Sequence, residues 1–179
     1  MARAMEDGTI RDAAAGDTAA FEVLLSPLLT PAFKLATLLL GDRDEAEDAV
    51  QEAAVRAWRR IGQLRGDRSR LRAWFLSIVA NQCRSMRRRP WWRVIKLPDL
   101  VHSDSWAEDD AVRNLDLRSA IERLDQGDQF ALFPFFSLDL PLQEAATVMG
   151  VSLGTAKSRI YRAVRRLRND AALEEVLRA

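Results

Sequence analysis

The sequence holds a single cysteine, Cys83, and a single histidine, His102. One thiol closes no internal disulfide, and one thiol with one imidazole cannot assemble a zinc site. Both scarcities fit a reduced, cytoplasmic setting. Apolar runs are short: the longest candidate, Leu35 to Leu40, falls far below the ~20 residues that cross a bilayer, so no integral membrane insertion is expected. Glu6 and Asp7 stand early in the chain, where an export signal would place an apolar core. No helix or loop gathers the carboxylates or His/Cys ligands that phosphodiester or base chemistry needs, and no glycine-rich phosphate cradle occurs. The expectation is a protein that is not an enzyme and needs no cofactor or metal. Period-2 alternation is also missing beyond a few residues, which argues against strands.

What the chain does have is segregated charge. Its 27 Lys and Arg against 26 Asp and Glu leave a net charge of +1, a total that alone argues against a nucleic-acid partner. The distribution points the other way. Arg84 to Lys96 carries six basic residues and no acidic one, and Lys157 to Arg168 repeats the count. Asp42 to Glu52 holds six acidic residues against Arg43, and Asp99 to Asp116 six more against Arg113. Basic poles suit phosphates, whereas an acidic helix suits a basic protein surface. With 179 residues, 48% of them hydrophobic, the chain can build one large core or two small ones.

Helical periodicity runs through the chain. Asp17 to Leu25 reads as a helix with Phe21, Leu24 and Leu25 inward, and Thr30-Pro31 as the start of a second one that stops at Gly41. Asp42 or Asp44 caps the next, whose apolar ladder is Ala46, Ala49, Val50, Ala53, Ala54, Ala57, Trp58 and Ile61. Gly62 to Ser69 reads as a loop. A further helix runs to about Arg89 with Leu71, Trp74, Phe75, Ile78, Val79 and Met86 buried, and Pro90 ends it. Trp91 to Asp110 has the acidic, aperiodic composition of a linker. Val112, Leu115, Ile121 and Leu124 mark another helix, followed by a short aromatic one, Phe130 to Phe136, which Pro134 must kink or split.

Pro141 to Met149 and Leu153 to about Leu173 have the layout of a helix-turn-helix. Ala145, Ala146 and Met149 face inward on the first helix, Gly150 supplies the turn and Ser152 caps the second. Leu153, Ala156, Ile160, Ala163, Val164 and Leu167 form the buried stripe of that second helix. Its opposite face presents Thr155, Ser158, Arg162 and Arg165, flanked by Lys157, Arg159 and Tyr161. Hydroxyls and guanidinium forks near a helix N-terminus suit base edges in a major groove, with further arginines on phosphates. The expected fold is all-α, two small helical domains joined by a linker, the C-terminal one a helix-turn-helix.

Taken together, the two halves resemble the extracytoplasmic-function (ECF) group of bacterial RNA polymerase sigma factors. The matching pieces are Gly16-Asp17 before Phe21, GDRDEAEDAVQEAAVRAW from Gly41 to Trp58, LRGDRSRLRAWFLSIVANQCRSMRRR from Leu64 to Arg89, and LQEAATVMGVSLGTAKSRIYRAVRRLR from Leu142 to Arg168. The resemblance implies sigma domain 2 over residues 1–92, a linker over 93–110 and sigma domain 4 over 111–179. It implies an alternative sigma factor that binds core RNA polymerase and promoter DNA, and an anti-sigma factor that holds it inactive. Asp48, Gln51 and Glu52 would dock on the polymerase clamp. The loop Leu64, Arg65, Gly66, Asp67 and the helix residues Asn81, Arg84, Arg87 and Arg88 would hold the melted −10 element, since a flipped base needs a short loop and a polar reader. Thr155, Lys157, Ser158, Arg159, Tyr161, Arg162 and Arg165 would read the −35 duplex.

The chain departs from the family pattern at Pro141, where a Ser cap is usual, and over Leu124 to Gln129, where a Leu-Pro-Pro-Arg-Gln-like stretch is usual. Pro134 and its neighbouring phenylalanines are also atypical. Two other readings remain open. A free-standing helix-turn-helix regulator, acting without being a polymerase subunit, leaves the first half without a role. A polymerase-binding adaptor that reads no promoter would fail to initiate transcription.

Overall fold

The structure, a computed structural model, describes residues 9–64, 70–86, 117 and 119–170. The chain divides into two compact units, Met1–Arg93 and Val94–Ala179. Among the described residues every regular element is helical.

In the first unit three helices pack mutually: α1 (Thr18–Leu40), α2 (Arg43–Arg60) and α3 (Leu71–Met86). Asp17 caps α1 by accepting the Ala20 N–H at 3.1 Å. The two helices expected before Gly41 are one continuous helix, with Pro27 and Pro31 inside it and Thr30 an exposed mid-helix residue. The prolines sit four residues apart, away from the core. The carbonyls they leave without a helical donor belong to Val23 and Pro27, which are both exposed, so water can satisfy them. On the other side Leu24, Leu28, Leu35 and Leu39 keep one apolar stripe against α2 and α3. Burial of that stripe outweighs the two lost bonds.

The same helix is longer and more apolar than the short apolar runs suggested, and it bears on the expectation that the chain does not insert in a membrane. By length and composition alone, the 23-residue α1 could span a membrane. Glu22 and Lys34 interrupt its apolar character too little for the chemistry to forbid it. Its buried leucines are instead covered by α2 and α3, as in the core helix of a globular domain.

Gly41 ends α1 in the left-handed region at φ 73°, and its N–H bonds the Thr37 carbonyl. Asp42 then caps α2, accepting from the Glu45 N–H at 2.9 Å. The α2 ladder is alanine-rich, with Ala46, Ala49, Ala53 and Ala57 fully buried, so the backbones approach closely. Trp58 is half-buried and meets Phe21 edge-to-face, with ring centroids 5.1 Å apart. A single 3-10 turn, Ile61–Leu64, closes the helix. On α3 the buried face is broader and rotated relative to the expected one. Leu71, Phe75 and Val79 are buried, joined by Leu76, Ala80 and Cys83, while Trp74, Ile78 and Met86 are only half-buried. Residues 87–89 of the expected helix, the linker, Trp91 and Trp92 lie outside the described residues.

The second unit contains α4 (Gln126–Leu132), α5 (Leu142–Met149) and α6 (Leu153–Arg168), preceded by a helical turn over residues 119–122. Leu124, Leu132 and Ala163 form a small core, with Ile121, Val164 and Leu167 against it. Gln129 is buried and donates to the Leu124 carbonyl at 2.7 Å and the Glu122 carbonyl at 3.1 Å, closing the turn before α4. The aromatic segment is divided at Pro134. The α-helix ends at Leu132 and widens into a π-helical turn, Phe133–Ser137, closed by the Leu138 N–H on the Phe133 carbonyl at 3.1 Å. A wider turn is the natural outcome, since proline cannot extend an α ladder.

Candidate nucleic-acid interface

The turn between α5 and α6 is built from local chemistry. Pro141 occupies the N-cap position of α5 without a side-chain cap, and its carbonyl takes the Glu144 and Ala145 N–H groups at 2.8 and 2.9 Å. A serine hydroxyl is thus not required to start this helix. Gly150 is left-handed at φ 67° and its N–H reaches the Ala146 and Thr147 carbonyls. The Val151 N–H bonds the Ala146 carbonyl at 3.1 Å, completing the C-terminal cap. Ser152 caps α6: its Oγ accepts the Thr155 N–H at 3.2 Å and lies 2.8 Å from the Thr155 hydroxyl.

On α6, Ala156, Ile160 and Ala163 are buried, whereas Leu153, expected in the stripe, is 44% exposed in the first turn. The helix ends at Arg168, earlier than expected, where Asn169 takes over as cap. Thr155, Lys157, Ser158, Tyr161, Arg162 and Arg165 all lie on the exposed surface, Tyr161 at 69%. Two arginines are less free than the sequence suggests. Arg159 is half-buried, its guanidinium against Gly127. Arg162 is bound to Asp128, Nε to Oδ2 at 2.9 Å and Nη2 to Oδ1 at 2.8 Å. The hydrogen bond and charge of Asp128 raise the Arg162 pKa above its ordinary value. Arg166 joins Asp125 at 2.7 Å. Asp125 and Asp128 are the participants that sequence reasoning missed. Two acids three residues apart at the start of α4 were the only visible signal, and nothing local connects them to arginines 34 and 41 residues on.

In the first unit, Asp48, Gln51 and Glu52 are exposed on α2. Gln51 Nε2 lies 3.5 Å from Glu47 Oε1, and Glu52 pairs with Arg56 at 3.3 Å. These are contacts within one helix, and among the described residues no other element pairs with this acidic face. Asn81 and Arg84 are exposed near the end of α3, and Asn81 Oδ1 accepts from Arg84 Nη1 at 2.6 Å. Partial desolvation lowers the Arg84 pKa, while Cys83 opposes it; the guanidinium stays charged. Leu64, expected in the reading loop, has its side chain buried. Arg65, Gly66, Asp67, Arg87 and Arg88 lie outside the described residues.

Residues 24–93 match the Sigma-70 region 2 family, and residues 114–167 match the Sigma-70, region 4 family. The ECF RNA polymerase sigma factor SigM of Mycobacterium tuberculosis is 30% identical over 155 residues, covering 86% of this chain and 78% of that protein. The chain belongs to the ECF sigma factors. SigL of the same organism is 29% identical over 165 residues, covering 89% of this chain and 93% of SigL. The structure of the sigma factor RpoE of Bartonella quintana, solved with the anti-sigma factor NepR, matches with a TM-score of 0.58 at 25% identity, covering 89% of this chain and 97% of that one. This sigma factor is therefore an alternative specificity subunit that directs promoter-specific transcription with RNA polymerase. A free-standing regulator is not favoured, because the first half is itself a region 2.

Proposed function

We propose that the two units divide promoter recognition between them. The first, assigned to residues 1–92, docks on the core polymerase clamp through Asp48, Gln51 and Glu52. It holds the melted −10 strand on the Leu64–Asp67 loop and on Asn81, Arg84, Arg87 and Arg88. With its side chain buried, Leu64 offers backbone to that loop. Residues 93–110 act as the linker. The second unit, residues 111–179, reads the −35 duplex through Thr155, Lys157, Ser158, Arg159, Tyr161, Arg162 and Arg165. An anti-sigma factor is a further partner, in line with the RpoE relative solved with NepR. The protein works in the cytoplasm and has no catalytic activity of its own.

The observation that carries this reading is the polar face of α6, set by the Gly150 turn and the Ser152 cap, in a chain whose other unit exposes an acidic helix face. Run-off transcription with core polymerase on a pool of genomic promoters tests it. Defined start sites that depend on the added chain are expected. Asn81→Ala should retain capture of upstream duplex yet impair strand opening, because the two surfaces belong to separate units. Polymerase binding without any promoter-specific transcript would instead identify an adaptor that reads no promoter.

A further inference from the structure

Three arginines on one flank of α6 turn toward the start of α4. Arg159, Arg162 and Arg166 follow an i, i+3, i+7 spacing, so they stand along one stripe. Each meets a different part of the segment Asp125–Asp128. Arg159 lies over Gly127, where an added Cβ would come within 3.3 Å of its Cζ. Arg166 takes Asp125 at 2.7 Å and stands 3.6 Å from Asp128. The central one, Arg162, is held by both oxygens of Asp128.

The geometry of that central pair is asymmetric. The Asp128 side chain is 1% exposed, while that of Arg162 is 50% exposed. A guanidinium presents two usable edges: the Nε–Nη2 side and the Nη1–Nη2 end. Asp128 occupies the first. Nη1 makes no hydrogen bond within the described residues. Arg162 is thus held from a buried anchor, and Ser158 and Arg165, four residues before it and three after it, share its side of α6. A long flexible side chain has been converted into a rigid fork.

We propose that Asp128 is a positioning and specificity residue for the upstream duplex. It locks Arg162 in one orientation, so that the Nη1–Nη2 end meets the paired O6 and N7 acceptors of a guanine. Two consequences separate this role from simple phosphate attraction. A pre-oriented fork loses little freedom on binding, so it discriminates between bases. The carboxylate also cancels most of the arginine's net charge, so the pair adds little to non-specific attraction for the backbone. The remaining basic residues of α6, Lys157 and Arg165 among them, carry that part. This inference rests on α6 reading duplex DNA, as proposed above.

The test uses the full chain bound to core polymerase and a pool of promoter duplexes randomised in the upstream element. Wild type should prefer guanine at one base pair. Asp128→Asn keeps the shape but frees the guanidinium. It should lower that preference by about tenfold, the range of one bidentate base contact. It should also raise affinity for unrelated duplex and steepen the salt dependence by about 0.9 in the logarithmic slope, the effect of one extra phosphate contact. Arg162→Lys keeps the buried carboxylate paired but removes the fork, and should lose the guanine preference to the same degree. That variant serves where Asp128→Asn proves unstable, as judged by thermal unfolding. Guanine preference retained in a folded Asp128→Asn variant, or in Arg162→Lys, would make the pair a purely structural tie and overturn the inference. A wild type with no base preference at any upstream position would instead refute the assignment of α6 itself.

Discussion

The two units solve the same problem, holding a charged binding surface on a small helical body, in different ways. In the first, the interior is alanine and large apolar side chains: Ala32, Ala36, Ala49 and Ala53 let α1 and α2 approach, and Phe75, Leu35 and Leu76 fill the space between helices. On its acidic face Glu52 bonds a neighbour in its own helix, Arg56. In the second unit the core is smaller, and α6 is also tied through Arg162 to the buried Asp128. Surface and core are separable in one unit and coupled in the other. A charge on α2 can change its partner without touching the fold, whereas a charge on α6 is part of what holds the fold.

The sharpest way to break this comparison is to open the first core. Phe75 has no exposed surface, and Phe75→Ala should cost about 3–5 kcal/mol through lost burial and the cavity left behind. Urea unfolding should show the loss confined to one transition, with the second unit unchanged. A matching loss in both transitions would mean that the units do not fold separately.

A smaller effect compares like with like. Gly41 at φ 73° and Gly150 at φ 67° both end helices in the left-handed region. Replacing either with alanine should cost about 1 kcal/mol, the usual penalty for a side chain in that conformation. Only Gly150→Ala should also weaken upstream duplex binding, because it alone sets the angle at which α6 leaves α5. Equal effects on duplex binding would show that the turn does not orient α6 for DNA.

The smallest stability change belongs to the acidic face. Asp48→Lys with Glu52→Lys should shift folding stability by no more than about 0.5 kcal/mol, since both residues are exposed. Affinity for core polymerase should nonetheless fall several-fold as the surface changes sign. Intact helical content with unchanged affinity would remove α2 from the polymerase interface.

Most helices were legible because their signals are local. The Asp42 cap, the alanine ladder of α2, the Gly150 turn and the Ser152 cap each lie within four residues of the group they satisfy. Errors arose where a distant partner outvoted a local preference. Thr30-Pro31 has the chemistry of a helix start, yet burial of Leu28 and Leu35 against α2 and α3 carries α1 straight through it. Leu153 follows the periodicity of the α6 stripe, but in the first turn of the helix it is left exposed.

The candidate sites divide in the same manner. Periodicity and charge runs were enough to select the outward face of α6 and the acidic face of α2, since a helix of fixed pitch determines which residues share a side. They could not show that Arg162 has a fixed orientation, or that Leu64 faces inward. The sequence by itself determined an all-helical chain with two charged faces and a helix-turn-helix, because pitch, caps and turns are short-range. Only the tertiary structure decided that α1 is one helix, that Pro134 opens a π turn, and that Asp128 grips an arginine 34 residues away. Those outcomes depend on which surfaces meet, and a burial or ion-pair energy has no counterpart in the spacing of residues along the chain.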